Sequence, residues 1–191
     1  MKPAPLKSGV IALALLLATA MAGRAGSVTV VLPQAQAAAG ADLEVTVQAR
    51  EAQGMGPMQL DLRYDPAVLE FANATAGDSP SIGLFDFNLL EPGNLRLAMT
   101  GNPGQPLEGE ADLFRVTFQV IGGSGQQSPL NADNVRAWEQ TEDSFDMIVE
   151  VEPGLVLVRG GVSVVLLAGA ALATIILVVA ALYIMRKLRR A

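Results

Sequence analysis

The stretch MQLDLRYDPAVLEF, Met58 to Phe71, alternates apolar and polar residues, halts at Asp65-Pro66 and resumes with a second apolar run. Period-two alternation sends Met58, Leu60, Leu62 and Tyr64 toward a core and Gln59, Asp61 and Arg63 toward water. Proline fixes its own φ and cannot donate to a ladder, so Asp65-Pro66 reads as a tight turn between two strands.

The same grammar extends in both directions. SVTVVLP (Ser27 to Pro33) is a strand, and DLEVTVQAR (Asp42 to Arg50) sets Leu43, Val45, Val47 and Ala49 on one face. Glu91-Pro92-Gly93-Asn94 is a turn that leads into Leu95 to Thr100, with Leu95, Leu97 and Met99 inward and Arg96, Ala98 and Thr100 outward. LFRVTFQVI turns Phe114, Val116, Phe118 and Val120 against Arg115, Thr117 and Gln119. GGSGQQ is a loop, and LNADNVRAW and SFDMIVEVEPGLVLV are the closing strands. No 3.6-residue period is sustained here, so an all-β antiparallel sandwich of about eight or nine strands is expected over residues 27–158.

The ends set a topology. VIALALLLATAMA, Val10 to Ala22, follows Lys2 and Lys7 and closes on small residues, which reads as a signal peptide over residues 1–22 rather than a buried helix. Val162 to Met185 carries no charge and is long enough for one transmembrane helix. Arg186 to Arg190 follow, so residues 186–191 are expected as a basic cytoplasmic tail. The sandwich would then be extracellular on a single-pass membrane protein. All 19 acidic residues lie between Asp42 and Glu152, beside Arg50, Arg63, Arg96, Arg115 and Arg136 and no lysine. So acidic a segment repels phosphates and excludes nucleic acid as a partner.

In order and spacing, the SVTV strand, DLEVTVQAR, MQLDLRYDPAVLEF, GNLRLAMTGN, ADLFRVTFQVIG and GLVLV together resemble cohesin domains, the dockerin-binding jelly-roll modules related to carbohydrate-binding modules. LRYDPAVLEF is the most specific part, and ADLFRVTFQV supports it. The resemblance implies a jelly-roll topology and a non-catalytic module that tethers a dockerin-like or other protein. It implies docking on the sheet face that contains MQLDLRY, with Gln59, Asp61, Arg63, Arg96, Thr100, Arg115 and Thr117 as partner-binding residues. Pro57 and Gln59 stand where many dockerin-binding cohesins carry Asn and Asp, so those contacts are not carried over.

The chain contains neither histidine nor cysteine, which removes the usual nucleophilic triads and the favoured zinc ligands. Carboxylate pairs suffice for glycoside hydrolysis, but no motif selects two of them, and no enzyme is expected. No cofactor is expected either. Thr141 to Asp146 and Asn131 to Asn134 offer oxygen ligands for calcium, and solvated turns explain them equally well. Three of the arginines, Arg63, Arg96 and Arg115, fall on outward parities, where they either attract an acidic partner or neutralise cross-strand carboxylates such as Asp61. The alternative function is a surface carbohydrate-binding module that binds polysaccharide through Trp138.

Overall fold

A computed structural model describes residues 26–141 and 144–160. The expected signal peptide (1–22), transmembrane helix (162–185) and tail (186–191) lie outside the described residues. Among those described, the fold is all-β, with ten strands: β1 (Ser27–Val31), β2 (Gln34–Ala38), β3 (Asp42–Arg63), β4 (Leu69–Ala76), β5 (Ile82–Glu91), β6 (Asn94–Gly101), β7 (Leu107–Val120), β8 (Gln127–Glu139), β9 (Ile148–Glu152) and β10 (Gly154–Arg159).

The central element is β3, which joins two stretches expected as separate strands into one of 22 residues. Its first half pairs with β1 and β7, and its second half pairs with β6 and β8. Register shifts separate the halves, and Glu51 (φ 53°) and Gly54 (φ 76°) adopt the left-handed backbone there. Such irregularities bend a strand and raise its twist, so one chain segment can serve two sheets. The first leaf therefore runs β9-β1-β3-β7-β4, and the second runs β5-β6-β3-β8-β10-β2.

The leaves face each other across one apolar core. Val45, Val47, Phe114, Val116 and Phe118 come from the first leaf, and Met58, Leu60, Leu62, Leu95, Leu97 and Leu130 from the second, each at most 1% exposed. Aromatic contacts tie them together: Tyr64 to Phe118 at 4.8 Å between ring centroids, Phe85 to Phe114 at 5.6 Å, and Phe71 to Phe87 at 5.5 Å. Each large side chain so buried contributes about 1.5–3 kcal/mol. With no cysteine, this core supplies the stability that disulfides give many exported domains.

The first and last strand pairs of the sandwich cross between leaves together. Pro33 parts β1 from β2, Pro153 parts β9 from β10, and both halves of the two segments pair in parallel. Leu32 N–H donates to the Glu152 carbonyl at 2.9 Å and Leu155 N–H to that of Pro33 at 3.1 Å, which carries the ladder across both prolines. The opening turn is as expected: Ala67 N–H donates to Asp65 Oδ1 at 2.8 Å, and Val68 and Leu69 N–H donate to the Asp65 carbonyl. At the β5–β6 turn, Gly93 takes φ 87°, as a Pro-Gly turn requires of its second residue.

Candidate functional site

The outer face of the second leaf is built by β5, β6, the second half of β3, and β8. The β3–β6 register sets Gln59 opposite Ala98, Asp61 opposite Arg96 and Arg63 opposite Asn94. On the other flank Gln59 faces Arg136, Asp61 faces Asp133 and Arg63 faces Asn131. Thr100 lies farther along β6 and is exposed, its Oγ1 accepting Leu84 N–H at 2.8 Å. The structure thus brings together five of the seven expected docking residues: Gln59, Asp61, Arg63, Arg96 and Thr100.

Arg115 and Thr117 are not among them. They stand on β7, which pairs with the first half of β3 and with β4, so they belong to the outer face of the opposite leaf. The correction follows from the length of β3: its neighbour beside MQLDLRY is β8, while β7 is its neighbour some fifteen residues earlier. Strand parity distinguishes inside from outside, but not one leaf from the other.

Asp61 corrects a second expectation. It has outward parity yet is 1% exposed, because the Arg96 side chain lies across it. Arg96 Nε donates to Asp61 Oδ1 at 2.7 Å and an Arg96 terminal nitrogen to Oδ2 at 2.9 Å. Asn134 Nδ2 completes the shell with a hydrogen bond to Oδ2 at 2.8 Å. That donor is aimed by a bulge in β8: the register shifts between the Gln59 and Asp61 pairs, and Asn134 takes φ 50°. The Arg96 hydrogen bonds hold the Asp61 carboxyl below the usual carboxylate range, despite burial that pushes it up. The same contact raises the Arg96 guanidinium.

The other two arginines of outward parity, Arg63 and Arg115, are also engaged. Arg63 contacts Glu91 at 3.1 Å and Asp133 at 3.2 Å, and Arg115 grips Asp78 with two nitrogens while lying 3.5 Å from Asp112. The second of the two roles weighed for these arginines, neutralising carboxylates, is the one the geometry displays. The centre of the face is consequently polar and close to neutral, with Gln59, Ala98, Asn88 and Asn131 around the covered Asp61.

Sequence reasoning missed Asn134 as a positioning residue and the whole of β5, whose Leu84 and Leu90 are exposed at the rim of this face. From the sequence alone, Asn131 to Asn134 stand out only as oxygen ligands for calcium. Among the described residues no cluster of three or more acidic side chains is placed to hold a metal ion, and Glu142 and Asp143 lie outside them. Tyr64 is core, and burial pushes its phenol up. Trp138 is half-buried on β8, paired across a single bridge with Asp146. It lines an open cleft of about 370 Å³ with Val135, Arg136 and Met147. Among the described residues the exposed aromatics are Phe87, on β5, and Phe145, beside the Trp138–Asp146 bridge, and neither ring is in contact with that of Trp138.

The Cohesin domain family model matches residues 28–153. Solved structures of similar fold include the seventh ScaB type I cohesin of Pseudobacteroides cellulosolvens, 21% identical, with a TM-score of 0.63 over 70% of this chain and 93% of that one. A non-cellulosomal cohesin of the hyperthermophilic archaeon Archaeoglobus fulgidus is 23% identical, with a TM-score of 0.60 over 71% of this chain and 91% of its own. The cohesin of a type I OlpC cohesin–dockerin complex from Clostridium thermocellum is 14% identical, with a TM-score of 0.61 over 73% and 99%. At these identities the likeness carries the fold. No curated protein matches the chain.

Proposed function

The chain belongs to the cohesin domain family, and on that premise we propose that its sandwich is a non-catalytic docking module that holds a dockerin-like protein on the outer face of β5, β6, β3 and β8. The observation that carries this reading is the family match over residues 28–153, which spans every strand of that face. The resemblance implies docking on the face containing the MQLDLRY strand, and here that strand is central, with Arg96 locked by Asp61, which Asn134 holds in turn. A face whose central charges, Asp61, Arg96 and Arg63, are already paired suits a partner that adds hydrogen bonds and apolar contact more than one that brings net charge. We further propose that residues 1–22 export the module and 162–185 anchor it, so that the docked protein is held at the cell surface.

The test is affinity capture from the producing cell's secreted and surface fractions, with residues 26–160 as bait, with and without calcium. Gln59→Lys and Ala98→Arg place bulk and charge at the centre of the face without breaking an ion pair, and Arg115→Glu alters the opposite leaf. Loss of the partner with the first two and its retention with the third supports the assignment. Full recovery with all three rejects it, and loss with Arg115→Glu alone moves docking to the other leaf. The carbohydrate-binding alternative has less to rest on, since Trp138 is half-buried and stands without a second stacking ring. Retention on polysaccharide that disappears in Trp138→Ala would favour it.

A further inference from the structure

Eight large apolar side chains are exposed among the described residues, and four of them, Leu84 (78%), Phe87 (39%), Leu89 (43%) and Leu90 (41%), fall within seven consecutive positions of β5. Among those residues β5 pairs only with β6, so its other edge is open. Proteins usually blunt such an edge with charge, proline or a very short strand, because its free N–H and C=O groups are a template for another chain. Here the edge strand has ten residues, its register with β6 shifts only between Ile82 and Phe85 and between Leu89 and Glu91, and Asp86 is the one charge between Leu84 and Leu90. Phe87 N–H is not taken by β6. It donates to Asp86 Oδ1 at 2.9 Å, so by alternation Phe85, Phe87 and Leu89 present their backbone groups to the open side.

The sequence of this edge is nearly its own mirror. Written as LFDFNLL, Leu84 to Leu90, it pairs with an antiparallel copy of itself about Phe87. Leu84 then meets Leu90, Phe85 meets Leu89, Asp86 meets Asn88, and Phe87 meets Phe87. All four exposed apolar residues gain an apolar partner, and the odd-numbered residues that face outward become the hydrogen-bonded pairs. Sliding one copy by two residues sets Asp86 against Asp86 or against Leu90, so the charge fixes the register.

We propose that β5 is a self-association edge, and that a second copy of this chain pairs with it antiparallel across a twofold axis through Phe87. The two second leaves would join into one continuous sheet, with both docking faces on the same side. The inference rests on the edge and its sequence and not on what docks on the face.

The chain has no cysteine, so introduced thiols report this contact without background. The full chain is produced in membranes as two differently tagged copies, one Leu84→Cys and one Leu90→Cys, and oxidised. Leu84 and Leu90 of opposite copies form a non-hydrogen-bonded pair with Cα atoms about 4.5 Å apart, within disulfide reach. Like positions in the two copies lie six residues apart along the strand, roughly 20 Å. The expected result is a disulfide-linked dimer carrying both tags when the two variants are co-produced, and none from either variant alone. Absence of the mixed dimer, or an equal yield from Leu84→Cys alone, overturns the proposal.

Discussion

Arg96 and Arg115 stand on opposite leaves of the sandwich, and each holds a carboxylate with two guanidinium nitrogens. The hydrogen-bond patterns are alike, but the surroundings are not: the Asp61 side chain keeps 2% of its surface, while that of Asp78 keeps 78%. A carboxylate removed from water depends on its donors, because desolvation has already been incurred and no solvent stands ready to replace them. An exposed one exchanges its arginine for water at little cost. The same contact is therefore a structural part on the second leaf and a surface feature on the first.

The comparison predicts its largest effect at Arg96. Arg96→Leu strands the Asp61 carboxylate under an apolar cover and should lower the Tm by roughly 5 °C or more. The double variant Arg96→Leu/Asp61→Leu, which removes the charge as well, should recover much of that loss. Parent-like melting of Arg96→Leu would mean that Asp61 is hydrated in solution, and the contrast between the leaves would collapse. Next comes Asn134, which supplies the third hydrogen bond and accepts the left-handed backbone. Asn134→Ala should cost about 1–2 kcal/mol in denaturant unfolding, from the lost donor and the strained φ together. Asn134→Gly relieves the backbone and should cost less, which separates the two contributions.

The contrast also has a pH signature. Asp61 titrates below its ordinary range in the folded state, so its stabilisation is complete above the unfolded-state pKa of about 3.9 and is lost as pH falls through the lower folded-state value. The stability difference between the parent and Asp61→Asn should therefore be constant from neutral pH to about 5 and narrow steadily in stronger acid. A difference that does not change with pH would assign the role of Asp61 to shape and hydrogen bonding rather than charge. Asp78 shifts in the same direction through Arg115, but its exposure leaves little of that effect in the folding equilibrium.

The sequence displayed the all-β fold, the inward residues of β3, β6 and β7, the Asp65-Pro66 turn and the Pro92-Gly93 turn, because alternation and turn chemistry are local. It did not display how the strands are shared between leaves. DLEVTVQAR and MQLDLRY looked like two strands because the residues between them break the alternation, and the bulges at that break are what let β3 serve both sheets. That single feature moved Arg115 and Thr117 off the candidate face and brought β8 onto it. QAQAA gave no strand signal, since alanine and glutamine have weak β preference, and β2 forms because β10 offers it a parallel partner. Asp61 read as wet because parity ignores a long neighbouring side chain laid across it. The SIGLFDFNLLE segment carries no clean alternation of apolar and polar residues, so its strand is not legible locally, although its exposed apolar residues make it a distinctive edge among the described residues.

The smallest effect should be at the exposed pair, and it tests the comparison from its weak side. Asp78→Asn keeps the shape of the side chain, removes the charge and leaves Asp112 beside Arg115, so the Tm should move by no more than about 1 °C. Arg115→Ala removes more than charge, because the arginine side chain is only 26% exposed and its stem is therefore largely packed. Arg115→Met restores the stem without the guanidinium and should return stability to that of the parent. If Met fails where Asn at position 78 is silent, then Asp112 rather than Asp78 is the partner that matters, and Asp112→Asn should reproduce the loss. If Asp78→Asn itself melts several degrees early, burial does not separate the two leaves, and the Arg96–Asp61 pair loses its special standing at the centre of the candidate face.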